Sequence, residues 1–330
     1  MENHLKKDII KVTYSFRIII EGAFFMKRLR KILIFLGIFV GYMATIGMIF
    51  TNIVMFMKKK TDDEILARET REGRLTLDEV HSLKKEDVLI QSRFGYMIKG
   101  WLVKESEQKK FIIISHGVTQ NKLNSIKYMK LFLERNWNVL LYDHRRHGET
   151  GGRTTSYGHY EKYDLESVVN WIKDKYGDDS TIGIHGESMG AVTTLLYAGM
   201  IEDGADFYIV DCPFSDFEAQ LKYLLKVDYK LPAPLVLPFA NVFLKLRDGY
   251  SIKDVSPVSV IQNIKNPILF IHSAKDDYIL PEMTMELYKM KEGPKQMLIT
   301  EKGKHAYSFA DNKEAYEKVI DDFFKKYVRD

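Results

Sequence analysis

A chain of 330 residues with 45% hydrophobic and 28% charged side chains is long enough for one large domain or two small ones around a packed core. Its one cysteine, Cys212, excludes a disulfide framework within the chain and a cysteine-rich metal site. The net charge of +4 sits unevenly: residues 1–60 hold eleven Lys/Arg against three acids, a net of +8 that leaves −4 for the rest, which argues against a nucleic-acid-binding face.

Residues 1–31 form a basic N-terminal segment. Residues 32–57, ILIFLGIFVGYMATIGMIFTNIVMFM, then run without a charge. As a helix this stretch rises about 39 Å at ~1.5 Å per residue, enough to cross a hydrocarbon core of about 30 Å. Lys27, Arg28, Arg30 and Lys31 close it on one side and Lys58, Lys59 and Lys60 on the other. A core helix of a soluble domain rarely stays uncharged for so long, and a cleaved signal peptide has a shorter apolar run followed by a small-residue cleavage site. The segment reads as an uncleaved signal anchor, a single transmembrane helix in the cell membrane. Met26 opens MKRLRK, a natural basic n-region, so residues 1–25 read as an upstream extension or a mis-assigned start. Basic residues are nearly balanced across the span. A short basic n-region ahead of an apolar run places the N-terminus inside and the catalytic domain outside.

Residues 58–85 are charged and read as a helical or irregular linker. From residue 86 to 330 the pattern is that of one catalytic domain. VLIQS and MIKGWLV form a hairpin around Arg93-Phe94-Gly95. Apolar runs then alternate with helix-period segments. FIIIS (111–115), NVLLYD (138–143), TIGIHG (181–186), FYIVD (207–211), ILFIH (268–272) and QMLIT (296–300) are strands, with helices near 122–135, 160–176, from 189, near 281–291 and from about 311. Short apolar strands without polar alternation are buried on both faces, and their alternation with helices means a mostly parallel sheet in an α/β fold. The rhythm breaks at about 213–257, where the proline-punctuated LPAPLVLPFANVFLKL (231–246) predicts a small helical cap.

Gly186-Glu187-Ser188-Met189-Gly190 matches G-x-S-x-G, after a strand and at the start of a helix. The tight turn demands small residues two positions either side of Ser188. It lifts Oγ above the sheet's carboxyl end and turns the Met189 amide toward a developing oxyanion. His116-Gly117-Val118 follows FIIIS, making the Val118 amide the second oxyanion donor and His116 a structural residue. Asp276 and Asp277 follow ILFIH. Neighbouring side chains point to different sides, so only one reaches an imidazole, and Asp276 is favoured. Of nine histidines only His305 lies beyond the candidate acid, giving the order Ser188, Asp276, His305. His185 and His272 sit at strand ends and read as structural.

The set HGVT (116–119), DHRRHGETGG (143–152), GESMG (186–190), HSAKDD (272–277) and GKHAYS (303–308) resembles membrane-anchored bacterial α/β hydrolases related to the serine-aminopeptidase-like and prolyl-oligopeptidase-like branches. The resemblance covers residues 86–328 and implies the α/β-hydrolase fold, with nucleophile, acid and base on Ser188, Asp276 and His305. Asp143, Arg145 and Gly148 match the family's DxRxxGxS loop, with Thr150 in place of Ser. Ser273 stands where its HGxxD motif has Gly.

These residues imply a serine hydrolase that cleaves carboxylic esters through an acyl-enzyme on Ser188. The cap and the anchor point to acyl or lipid-like esters. An amidase or peptidase would use the same triad, and a non-catalytic binding protein on this scaffold is disfavoured by the intact triad pattern. No HExxH, phosphate-binding loop or G-x-G-x-x-G occurs, so no metal and no cofactor are expected. Two further expectations concern the site's walls. Phe239 and Phe243 of the cap should contact the acyl group, and the sheet and triad should lie wholly beyond residue 85, so that removing residues 1–60 leaves an active domain.

Overall fold

The computed structural model describes residues 2–328. Its first element, α1, is one continuous helix from Glu2 to Met55, so the basic segment and the apolar span share an axis. Side chains from Ile32 to Ile38 are exposed, as an apolar helix without a protein partner must be. From Phe39 onward the helix docks on the domain. The linker is ordered too: α2 (Asp62–Arg71) and α3 (Leu77–His81) each begin with a Thr/Glu capping box, Thr61 with Glu64 and Thr76 with Glu79. Ile65 and Glu69 of α2 are buried, Glu69 bonding Arg68, Arg74 and Asn124.

The strands are β1 (Glu86–Gln91), β2 (Met97–Val103), β3 (Lys110–Ser115), β4 (Asn138–Tyr142), β5 (Thr181–Glu187), β6 (Phe207–Asp211), β7 (Ile268–Ser273) and β8 (Lys295–Thr300). They form one sheet in the order β1-β2-β4-β3-β5-β6-β7-β8. The hairpin β1–β2 and the β2–β4 pair are antiparallel; every pair from β4 to β8 is parallel. The apolar runs of β3, β4 and β6 are buried because helices cover both faces. On one face lie α5 (Glu161–Tyr176) and α6 (Met189–Met200), packing Leu165, Val169 and Leu195 into the core. On the other lie α4 (Lys122–Leu133) and, near the C-terminus, a helix over Lys313–Tyr327, with Phe132, Ile320 and Phe323. Crossovers of this kind leave the carboxyl ends of β3, β5, β6, β7 and β8 along one edge, where loops gather.

The cap follows β6. It comprises α7 (Phe217–Val227), a 3₁₀ turn at Ala233–Leu235 and α8 (Leu237–Asp248). Helix α8 runs beside α1 in the same direction: Phe239 meets Phe39 and Tyr42 edge-on at 6.0 and 5.9 Å, Phe243 lies over Gly47, and Arg247 bonds Thr51 and, at 2.7 Å, Asn52. Phe239 and Phe243 are therefore committed to the anchor, which corrects the expectation that they reach an acyl group: α8 turns its aromatic face to α1. A Cβ at Gly47 would overlap the Phe243 ring, whereas nothing stands within 4 Å of one at Gly41. Gly47→Leu is expected to push α8 off α1 at an overpacking cost of about 1–3 kcal/mol. It should lower the thermal midpoint of the detergent-solubilised full chain by a few degrees. Gly41→Leu is the control, and an equal effect of both would show that the contact contributes nothing.

Candidate active site

Ser188 sits between β5 and α6 with φ 55° and ψ −116°, a conformation that costs an L-residue free energy and persists only where its surroundings hold it. What holds it is close packing. A Cβ on Gly190 would land in the carbonyl of Ser115 at the end of β3, and one on Gly186 would strike the backbone of Gly190 and Ala191. The Ser188 amide donates to the Asp211 carbonyl at 2.8 Å, tying the turn to β6. Three more non-glycine residues around the site have positive φ: Thr119 (67°), Cys212 (50°) and Ala306 (63°).

Ser188 Oγ lies 2.8 Å from His305 Nε2, and His305 Nδ1 lies 2.7 Å from Asp276 Oδ2. Asp276 is buried; Asp277 is exposed. The carboxylate is fully engaged. Its Oδ1 accepts the Tyr278 and Ile279 amides, both at 3.0 Å, and its Oδ2 also faces His272 Nε2 at 3.0 Å. Burial opposes the charge, but the bonds from His272 and His305 prevail and hold the Asp276 carboxyl well below the usual carboxylate range. His272 had read only as a strand-end structural residue. Its position four residues before the acid was the one sequence signal of this contact. Cys212 Sγ lies with Asp276 and His305 in a group whose ligating atoms are within 4.8 Å of one another. Burial pushes its thiol up, so it meets the imidazole as a small neutral group rather than as a thiolate metal ligand.

The loop after β3 is clamped by neutral histidines. His116 Nδ1–H donates to the Gly117 carbonyl at 2.8 Å and Nε2 accepts the His144 amide at 3.0 Å. His147 Nδ1–H donates to the Arg145 carbonyl at 2.9 Å and Nε2 accepts the Thr119 amide at 3.2 Å. An acceptor nitrogen requires the neutral ring, and burial supplies it, pushing His116 down to about 4 and His147 to about 3. Among the described residues, the Val118 and Met189 amides have no hydrogen-bond partner, and Val118 and Met189 both line the space over Ser188. Asp143 fixes the neighbouring loop: it accepts the Lys122 amide and ammonium, both at 2.8 Å, and the Glu149 amide at 3.0 Å.

Two chambers meet at Ser188. One, of about 240 Å³, is almost wholly apolar. Phe214, Phe217, Leu221 and Leu225 wall it from the cap side, joined by Leu231 and Val236. The opposite wall is the anchor: Ile46, Ile49, Phe50, Ile53, Val54 and Met57. The other chamber, of about 420 Å³, has charged and polar side chains in its wall alongside apolar ones. Lys60, Arg68 and Arg74 of the linker line it, with Lys127, Glu187 and His305. Lys127 and Tyr128 bond Glu187 and hold its buried carboxyl below the usual range against the opposing effect of burial. The sheet and Ser188, Asp276 and His305 all lie beyond residue 85, but the walls of the space around Ser188 do not. Removing residues 1–60 would strip one wall from the apolar chamber.

A serine on a strained strand–helix turn, an imidazole on its Oγ and a buried carboxylate behind the imidazole, at the carboxyl edge of a parallel sheet, define the class. The chain belongs to the α/β-hydrolase family. The model of the alpha/beta hydrolase fold matches residues 110–243. The uncharacterized protein YqkD of Bacillus subtilis is 51% identical over 296 residues, covering 89% of this chain and 97% of that one. The uncharacterized protein YfhR of Escherichia coli K12 is 24% identical over 251 residues, 72% of this chain and 80% of its own. Among solved structures, the Pyrococcus furiosus esterase Pf2001 superposes with a TM-score of 0.63 at 23% identity, over 77% of this chain and 97% of that one. The Pyrococcus horikoshii acylaminoacyl peptidase does so at 0.59 and 18%, over 77% and 44%.

The buried titrating groups set a pH limit on the fold. Burial pushes His159 down to about 4 and His185 to about 3, alongside His116 and His147, and holds His144 well below its ordinary value. Unfolded, each takes up a proton near 6.5, so the unfolded state binds more protons and stability is lost as pH falls from 6.5 toward 3–4. Asp164 and Asp211, pushed up to about 6 by burial, act in the opposite sense between 6 and 3.8. Five histidines outweigh two aspartates, and the thermal midpoint should begin to fall below about pH 6.5. A midpoint that stays level from pH 7 to 4 would show that these rings are protonated in the fold.

Proposed function

We propose that this protein is a membrane-anchored serine hydrolase that cleaves acyl esters through an acyl-enzyme on Ser188. The observation that carries the reading is the junction at Ser188 of an apolar chamber with one that charged side chains line. An ester carbonyl placed over Oγ puts its acyl chain between α1 and α7 and its alcohol beside Lys60 and His305. His305 Nε2 takes the proton as Oγ adds to the carbonyl carbon, and the charge of Asp276 stabilises the imidazolium that forms. The oxyanion falls to the Val118 and Met189 amides. The same imidazolium then protonates the departing alkoxide, and water, deprotonated by His305, releases the acid. Of the cations lining the larger chamber, Arg68, Arg74 and Lys127 are paired with Glu69, Glu72 and Glu187; Lys60 remains to favour a neutral or anionic alcohol half, which supports the ester reading over the aminopeptidase one. With the N-terminus inside, the domain works on the extracytoplasmic side.

Two measurements test this. Ser188→Ala removes one small hydroxyl from a packed turn, so the protein should keep its thermal midpoint and lose on the order of 10³-fold or more in turnover of p-nitrophenyl esters. Near-normal turnover would reject the nucleophile. Each methylene buried in the apolar chamber contributes up to about 0.8 kcal/mol, so kcat/KM should climb by one or two decades from acetyl to hexanoyl esters, at ~0.8 kcal/mol per carbon. Phe217→Ala and Phe50→Ala should flatten that climb, whereas Phe239→Ala, outside the chamber, should not. An equal kcat/KM along the series would assign the chamber another role.

A further inference from the structure

The anchor and the cap are packed together over a length that the bilayer itself claims. If Lys31 marks one membrane surface, the ten residues 32–41 rise only about 15 Å, half of a hydrocarbon core of about 30 Å. The other half must come from about residues 42–51, and these are the residues α8 leans on: Tyr42 on Phe239, Gly47 under Phe243, Thr51 and Asn52 on Arg247. The helix cannot span unless α8 enters the membrane with it.

The composition of the cap agrees independently. Residues 231–244, LPAPLVLPFANVFL, hold no charge, and charges resume at Lys245 and Arg247, level with the point on α1 where about 30 Å from Lys31 is reached. The outward side chains of this run are apolar, Leu235 being 54% and Val242 47% exposed. Its backbone is partly suited to a solvent that offers no hydrogen bonds. Pro232, Pro234 and Pro238 have no amide to satisfy; the Leu231, Leu235, Val236 and Ala240 amides bond within the cap, and the Leu235 carbonyl accepts Tyr42 OH at 3.1 Å, while the Ala233, Leu237 and Phe239 amides have no protein partner among the described residues. The run's one amide side chain, Asn241, is spent on the Ile252 N–H at 2.8 Å. Exposed Lys222, Lys226, Asp228 and Lys230, on and just after α7, limit the depth and keep that helix at the headgroups.

We propose that α8 and the 3₁₀ turn before it are immersed in the leaflet on the domain's side, and that the apolar chamber opens sideways into that leaflet. Its exposed rim is Ile49 and Ile53 of α1 with Tyr229 and Leu231 of the cap. Ile49 and Ile53 lie one to three turns below Lys58, where the ester groups of membrane lipids lie just above their chains. The substrate class is then an acyl ester resident in the bilayer, whose chain slides between α1 and α7 without crossing water while its ester rises to Ser188.

The proposal rests on the membrane reading of α1, and the test separates the two. Variants with one added cysteine, Ile38→Cys, Leu235→Cys, Val242→Cys and Lys222→Cys of the full chain, with buried Cys212 left in place, are labelled with an environment-sensitive fluorophore in phosphatidylcholine–phosphatidylglycerol vesicles. Labels at 38, 235 and 242 should be quenched by nitroxides on the lipid chains and shielded from aqueous iodide, and the label at 222 should respond to iodide. Iodide quenching at 235 and 242 with lipid quenching at 38 would leave the anchor standing and overturn the immersed cap. Iodide quenching at 38 would overturn the span and the proposal with it. No arm depends on turnover.

Discussion

Helix α6 crosses the end of β3 at a distance that leaves room for a bare α-carbon. That crossing, Gly190 over the Ser115 carbonyl, is the constraint from which the rest of the site follows. Because the helix starts so close to the sheet, the residue before it cannot relax out of a left-handed backbone, and Ser188 Oγ is held up over the strand ends. Because β3 is the strand beneath, the loop that leaves it is delivered beside the same serine, where Val118 and Met189 line one space. Neighbouring β6 receives the Ser188 amide, and the loops after β7 and β8 bring in Asp276 and His305 from the far side. The cost of the turn is borne by packing in all these elements, so none can shift alone.

The electrostatics of the site are divided by depth. Below the serine, burial keeps imidazoles neutral, and the neutral rings accept backbone amides that a charged ring would refuse. Level with it, Asp276 collects two amides and two imidazole nitrogens, enough donors to remain an anion in a buried place. Above it the cations of the linker and of α4 face the larger chamber. The same residue type, histidine, thus serves as rigid strut under the loop and, in the function proposed, as the base beside the serine.

Much of this was legible in the chain. Apolar runs such as FYIVD and FIIIS fall in β6 and β3, because strands covered on both faces need no polar alternation. The elbow was legible because its glycines answer to a local geometry, and Asp276 and His305 because strand ends are. What escaped depends on contacts distant in sequence. Phe239 and Phe243 read as pocket residues because apolar surface carries no address; only packing decides whether it meets substrate or another helix. The anchor's share of the chamber was hidden for the same reason. Residues 42–57 satisfy a bilayer by composition alone, so nothing in them announces a second duty as a wall. Linker residues 58–85 showed charge but not that Glu69 would be buried among arginines.

The seat of α1 on the cap also shapes how the protein is made. Tyr42 and the Leu235 carbonyl it bonds are 193 residues apart, so during synthesis the anchor emerges long before the surface that will cover it. A soluble chain in that position would carry the exposed Ile46, Phe50 and Val54 through most of translation as an aggregation hazard. With α1 in a bilayer as proposed, lipid would serve as a stand-in partner, equally apolar and already present. When the cap arrives it has only to displace lipid from one side of a helix confined to two dimensions, which shrinks the search for a contact of very long range. The order of the elements, anchor first and cap late, is therefore one that a membrane can chaperone and free solution cannot.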